Sequence, residues 1–276
     1  MLNTINLHES QKFYEVSLNG KTYQCARITD VLESTRQTPQ SLRRWMVNCA
    51  ANKLFGLDQT GLDIAQFKEI AWNAHQEEMQ AALDIGSEVH ALITLPSEPS
   101  AFARPESEAA YFAYKQFCKK HKITMVASEL KVYDTKMGIA GTIDWIGIVD
   151  GELYILDWKT SKAIQDGYKI QVSVYKDMLT KFLKVFKKEP SAYTPETQRV
   201  CLNIFDAGGK NPRFNTAIVR LDKSLAVRRA TKGRKFFEFC KITATEEKAY
   251  LKEFKLALKL YQLRKGSKNG NDSHTK

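Results

Sequence analysis

The segment Gly141-Thr-Ile-Asp144-Trp-Ile-Gly-Ile-Val-Asp150-Gly151-Glu-Leu-Tyr-Ile-Leu-Asp157-Trp-Lys159 limits the possible folds more than any other part of the chain. Asp150-Gly151 supplies the two positive-φ positions of a type I′ turn, so the flanking β-rich runs form a hairpin. Such a turn pairs Val149 with Glu152; counting outward sets Asp144 opposite Asp157 and Thr142 opposite Lys159. Strand alternation puts these four on one face with Ile146, Ile148, Leu153 and Ile155, and Ile143, Trp145, Leu156 and Trp158 on the other. Apolar residues on both faces mean a hairpin covered on both sides.

Opposed residues in such a ladder have Cβ atoms about 5 Å apart, so Asp144 and Asp157 repel unless something offsets the charge. A divalent cation does so, and two oxygens plus water suit Mg²⁺, with Mn²⁺ as a substitute. A carboxylate-held metal can place water on a phosphorus centre, and a neighbouring ammonium such as Lys159 can activate that water or stabilise the charge that develops. An ordinary buried ion pair would account for Asp157 and Lys159 and leave Asp144 unexplained. The acid-x-Lys spacing by itself says little, because Glu129/Lys131, Asp134/Lys136, Glu246/Lys248 and Glu253/Lys255 repeat it. What sets Asp157/Lys159 apart is the apolar strand before it and the facing Asp144.

Around the hairpin the pattern predicts an extended opening over 13–28 turning at Asn19-Gly20, with Thr29 or Asp30 capping a helix. Helices are expected over 41–54, 64–93, 106–121 and 166–186, and strands over 128–133, 141–149, 152–158, 198–205 and 214–221. Two further helices run to about Leu263, and a polar tail, 264–276, follows. One domain over 1–263 is expected, mainly helical through residue 122, with a sheet and helix over 123–221 and basic helices over 222–263. The fold class is α/β (an α+β core), a central mixed sheet flanked by helices with a helical N-terminal elaboration.

Charge adds a substrate class. The net charge is +11, and residues 222–276 hold 15 Lys/Arg against 6 Asp/Glu. A basic surface on one segment suits a polyanion, nucleic acid foremost. Arg228, Arg229, Lys232, Arg234 and Lys235 form its densest part. Phe236, Phe237 and Phe239 beside them read first as the buried stripe of an amphipathic helix and second as stacking platforms for unpaired bases. The five cysteines lie far apart, which excludes a zinc ribbon or a clustered iron–sulfur motif. No apolar run nears the roughly 18 residues of a membrane span. The opening residues have no basic start and no apolar core, so a cytoplasmic protein is expected.

The order Gly-x-x-Asp, Asp-x-Lys on the next strand, then Gln171-x-x-x-Tyr175 on the following helix resembles the PD-(D/E)XK nuclease superfamily, with its restriction-endonuclease-like sheet. ILDWKTSK is similar to the RecB-type exonuclease branch, including its mitochondrial genome-maintenance and phage-encoded members. Gly86-Ser-Glu-Val-His90 is similar to the G-x-x-x-H segment that carries a metal-binding histidine there, and ARITDVLESTRQTPQSLRRWMVNCAANKL resembles the N-terminal helices of such phage nucleases. The likeness spans about 25–180.

It implies a metal site of His90, Asp144, Asp157 and the Trp158 backbone carbonyl, with Lys159 catalytic and Gln171 and Tyr175 holding phosphate or ordering the lysine. Glu129 is expected at the site, the alternative being a merely exposed glutamate. Arg228, Arg229 and Lys232 are expected on DNA. No iron–sulfur cluster is expected, since the cysteine cluster of members that carry one is missing. The implied activity is a metal-dependent DNA exonuclease acting on single-stranded or open ends in recombination, repair or replication. A structure-specific or nicking endonuclease and a non-catalytic DNA-binding protein are the alternatives. No phosphate-loop motif is present, so unwinding falls to a partner helicase, with single-strand-binding or recombination proteins as further partners. If the chain is phage-encoded, its compartment is the bacterial host cytoplasm.

Overall fold

Asp150 and Gly151 have φ of 52° and 89°, the paired left-handed residues of the expected turn. They join the two strands at the centre of the sheet. The computed structural model describes residues 2–8, 13–36, 38, 40–58, 60–95, 98–224 and 235–271. These divide into two compact units, Met1–Thr35 with Ala109–Lys276, and Arg36–Glu108.

The first unit holds every strand among the described residues. β1 (Thr4–His8), β2 (Phe13–Leu18) and β3 (Lys21–Arg27) form an antiparallel meander, followed by α1 (Ile28–Thr35). After α4 (Pro105–Lys120; α2 and α3 belong to the second unit) come β4 (Ile123–Asp134), β5 (Ile139–Val149), β6 (Glu152–Lys159) and α5 (Asp166–Phe186). A short 3₁₀ turn, α6 (Pro195–Gly208), β7 (Asn215–Leu221), β8 (Phe237–Ile242) and α7 (Ala244–Asn271) complete it. The strand order is β1-β2-β3-β5-β6-β7-β8, and β4 lies along β5 as well. β5 and β6 are antiparallel, β6 and β7 parallel, so the sheet is mixed as expected.

Both faces of the central hairpin are covered. Ile146, Leu153 and Ile155 join a core with Tyr175, Met178 and Leu179 of α5. On the other face Trp158 meets the rings of Tyr114 and Phe117 of α4 edge-on, with centroids 5.4 and 5.6 Å away. Burying one such aromatic side chain contributes about 1.5–3 kcal/mol, so the two layers hold the hairpin from opposite sides.

In the second unit, α2 (Gln40–Phe55) lies along α3 (Ile64–Thr94), where Lys53 and Glu77 pair at 2.7 Å. A reciprocal capping box starts α3. The Asp63 carboxylate accepts from the Ala65 and Gln66 amides, and the Gln66 side chain accepts from the Asp63 amide.

Four local expectations are corrected. Residues 198–205 are helical, inside α6, because Thr194 caps the helix, Pro195 starts it, and Cys201 and Ile204 bury one face at helical spacing. Residues 237–242 form a strand instead of the expected basic helix. Phe237 and Phe239 alternate with polar residues, pair with Leu221 and Val219 of β7, and meet the Phe117 ring edge-on, with centroids 5.2 and 5.3 Å away. They pack against other aromatics, which favours the packing reading over base stacking, though on a strand. Thr29 and Asp30 lie within the first turn of α1, which begins at Ile28. α7, capped by Thr243 and Glu246, continues past Leu263 to Asn271.

α5, α7 and β7 are tied by one polar contact. The buried carboxylate of Glu247 accepts both from the Lys176 ammonium, at 2.9 and 2.7 Å, and from the Thr216 hydroxyl, at 2.6 Å. Glu247→Ala strands a buried hydroxyl and a half-buried ammonium, and is expected to cost about 1–3 kcal/mol in urea unfolding. An unchanged midpoint would mean that water replaces the carboxylate without loss.

Candidate metal centre

The β5–β6 ladder keeps the expected register from Val149↔Glu152 to Trp145↔Leu156, then ends one pair short of Asp144 and Asp157. Beyond that point β6 keeps β7, with Asp157↔Ile218 and Lys159↔Arg220, while β5 keeps β4. The two central strands therefore part at the carboxylates, and the expected Thr142–Lys159 opposition is not made. Thr142 pairs instead with Lys131, and its hydroxyl meets the Tyr14 hydroxyl at 2.8 Å.

Asp157 is buried, and its Oδ1 accepts from the Lys159 ammonium at 2.9 Å. That ammonium also lies 5.0 Å from the centre of the Tyr168 ring. Burial would push Lys159 down, but Asp157 and then Asp144 outweigh it and hold the lysine above its ordinary value. Asp144 is half-buried, with one carboxylate oxygen shut off from solvent.

Glu129 completes the acidic side. It would face Asp144 in the β4–β5 register, between Ser128↔Trp145 and Leu130↔Ile143, but that pair drops out of the ladder. The reason is its backbone: Glu129 has φ of 51°, a left-handed conformation inside a strand. A carboxylate oxygen of Glu129 lies within 4.8 Å of one of Asp144. Non-glycine residues held this way cluster at functional sites.

Gln171 and Tyr175 share a face of α5, and the Gln171 amide donates to the Tyr175 hydroxyl at 2.9 Å. Burial first, and then the negative field of Asp144 and Asp157, push the Tyr175 phenol well above its usual range, so it stays a proton donor. The ring lies so close to β5 that a Cβ at position 141 would come 2.6 Å from its Cε1. Gly141 is thus the residue that admits Tyr175 beside Asp144. Tyr14 and Tyr168 were not singled out from the sequence; Tyr14 reaches the centre from β2 through long-range packing, and Tyr168 from the first turn of α5.

His90 stands half-buried on α3, in the second unit. The Trp158 indole belongs to the opposite face, against α4, and only its backbone stands between Asp157 and Lys159. Arg228, Arg229, Lys232 and Arg234 lie outside the described residues. The donors that come together in the sheet unit are hard carboxylate oxygens, which suit Mg²⁺ or Mn²⁺ and not a soft metal.

A model of the PD-(D/E)XK nuclease superfamily matches residues 75–204. The matched stretch holds His90, Glu129, Asp144, Asp157, Lys159, Gln171 and Tyr175. The mixed sheet flanked by helices agrees with the PD-(D/E)XK fold, and the match supports a metal-dependent nuclease. The match includes neither the N-terminal segment whose likeness to phage nucleases was noted nor the basic C-terminal part. A comparison with curated proteins returns no match. Among the described residues no helix is long and apolar enough to cross a membrane.

The backbone at Glu129 makes a test that is independent of activity. Glu129→Gly suits the left-handed conformation and is expected to leave unfolding unchanged within error. Glu129→Val puts a β-branched residue there and is expected to cost about 1–3 kcal/mol in urea denaturation. Equal stability of the two variants would mean that the strand takes ordinary β geometry at this position.

Proposed function

We propose that the protein is a DNA exonuclease of the RecB-type branch, hydrolysing phosphodiester bonds at single-stranded or open ends during recombination, repair or replication. The observation that carries this reading is the Asp157–Lys159 contact beside Asp144, at the point where β5 and β6 part. Asp144, Asp157, the Trp158 backbone carbonyl and His90 would hold the metal, with Glu129 at its acidic side. When bound, Mg²⁺ (or Mn²⁺) lowers the pKa of a coordinated water and neutralises phosphate charge. Lys159 places a fixed cation where charge builds on the phosphoryl oxygens, and Asp157 keeps it there. Tyr175, oriented by Gln171, donates toward a phosphate oxygen or orders the lysine. His90 enters on the strength of the G-x-x-x-H resemblance alone. Any duplex opening falls to a helicase, single-strand-binding or recombination partner, in the cytoplasm.

End-labelled linear and circular single strands, incubated with Mg²⁺, Mn²⁺ or a chelator, test the activity. Loss of the linear form alone, abolished by chelation, is the expected result; cutting of circles would assign an endonuclease. Asp144→Ala, Asp157→Asn and Lys159→Ala should each lower the rate on the order of 10³-fold or more. Calorimetry should still find metal binding in Lys159→Ala, because the ammonium is not a ligand. His90→Ala should alter the Mg²⁺/Mn²⁺ preference, and parent-like behaviour would remove His90 from the site.

The basic C-terminal cluster is proposed to supply affinity without sequence preference. Replacing Arg228, Arg229 and Lys232 by alanine should weaken every DNA about equally and flatten log affinity against log salt by roughly 0.7–0.9 per lost phosphate contact. An unchanged slope would move the DNA track elsewhere, first to the helices near Arg43 and Arg44.

A further inference from the structure

Arg220 stands beside Lys159 in the parallel β6–β7 ladder, as Ile218 stands beside Asp157. Alternation along β7 turns Thr216, Ile218 and Arg220 to the α5 side of the sheet. Thr216 reaches Glu247 there, and Ile218 joins the core with Met178 and Leu179. Arg220 therefore shares a face with Asp157 and Lys159, one strand spacing of about 4.8 Å from the lysine. From β4 to β7 the charge changes sign. Glu129, Asp144 and Asp157 are the acids of β4, β5 and β6, and Lys159 and Arg220 are the bases at the ends of β6 and β7.

The guanidinium is pinned at one nitrogen. Its Nε donates to a carboxylate oxygen of Glu238, the facing residue of β8, at 3.2 Å. Among the described residues the Arg220 side chain makes no other hydrogen bond or ion pair, so both terminal nitrogens keep open donors. Its side chain is only 19 % exposed, whereas Glu238 is well exposed. An exposed carboxylate gains little from such a pair, so stability alone is a weak reason for a largely buried arginine here. A planar fork with free N–H groups is the donor set that takes a phosphate on two oxygens. A metal belongs among the carboxylates, and anions belong at Lys159 and Arg220.

We propose that Arg220 holds the phosphate adjoining the scissile one, so that the substrate strand crosses the sheet from β5 toward β8. One phosphate then lies at Lys159 and the next at Arg220, while Glu238 fixes the fork and competes with phosphate for it. This rests on the nuclease reading above, because it takes the scissile phosphate to lie at Lys159. It goes further by assigning a substrate-binding residue beyond residue 204, where the family match ends, and a path for the strand.

The test uses the full chain, Ca²⁺ and short fluorescein-labelled single strands in which one uncharged methylphosphonate is moved along the backbone. Ca²⁺ accepts flexible oxygen coordination and so supports binding when turnover is to be avoided. By anisotropy, Arg220→Gln should weaken the unmodified strand about 10-fold, the scale of one charge-assisted contact. It should also abolish the effect of the methylphosphonate at one position, next to the position whose effect Lys159→Ala abolishes. Arg220→Lys keeps the charge without the fork and should recover only part of the affinity. Glu238→Gln, at an exposed position, should tighten binding about 3-fold by freeing the fork, and it serves if circular dichroism shows Arg220→Gln unfolded. A scan in Arg220→Gln that matches the parent, or Glu238→Gln binding no tighter than the parent, overturns the proposal and leaves an ordinary cross-strand ion pair. The unmodified strand incubated with Mg²⁺ separates the two readings. Cleavage with a parent-like scan in Arg220→Gln keeps the nuclease and rejects Arg220; loss of one position without cleavage does the reverse.

Discussion

A carboxylate removed from water must be compensated, and the chain meets that demand at Asp157. The residue is 1 % exposed, and the Lys159 ammonium two positions on in the same strand is its compensating partner. Neither can leave the strand's face, so both stay aimed at the gap that opens where β5 and β6 part. Leaving such a charge unpartnered costs several kcal/mol, enough to make the pair obligatory in a domain whose net stability is of similar size. The surrounding layers serve that geometry. α5 brings Tyr175 and Gln171 against β5, the aromatic layer on the other face fixes Trp158 and with it the strand, and β4 turns Glu129 toward Asp144 through an unusual backbone conformation.

Much of this was legible in the residues. The Asp150-Gly151 turn fixes the register of the hairpin, and every ladder pair from Val149↔Glu152 to Trp145↔Leu156 follows from it. Helix α5 was expected with the bounds it has, because its apolar spacing and flanking breakers are local signals. The parting of the strands was not legible. It depends on β6 taking β7 as a partner, a contact between residues far apart in sequence. The same limit hid Tyr14. The run at 198–205 was misread for a local reason, since Val200, Cys201, Ile204 and Phe205 satisfy an apolar strand until Thr194 and Pro195 are read as a helix start. Glu129 was placed near the site by its position before the hairpin, but nothing in its identity announces a left-handed φ.

Gly141 and Tyr175 show how a motif residue can act through shape alone. A glycine three places before Asp144 carries no chemistry, yet any side chain there would collide with the ring that lies closest to it. The Gly-x-x-Asp spacing thereby encodes an intimate helix–strand contact as well as a carboxylate, and the two parts of the pattern are physically inseparable.

The switch of partner along β6 also sets an order of events in time. The hairpin half of the strand can close as soon as its turn has been made, since its contacts are local. The half that bears Asp157 and Lys159 has no ladder partner until Ile218 and Arg220 have been synthesised, some seconds later at about 5–20 residues per second. A nascent chain stalled before β7 therefore carries all the acidic residues of the centre and lacks the scaffold that aligns them. On this topology the alignment of Asp157 and Lys159 waits for β7.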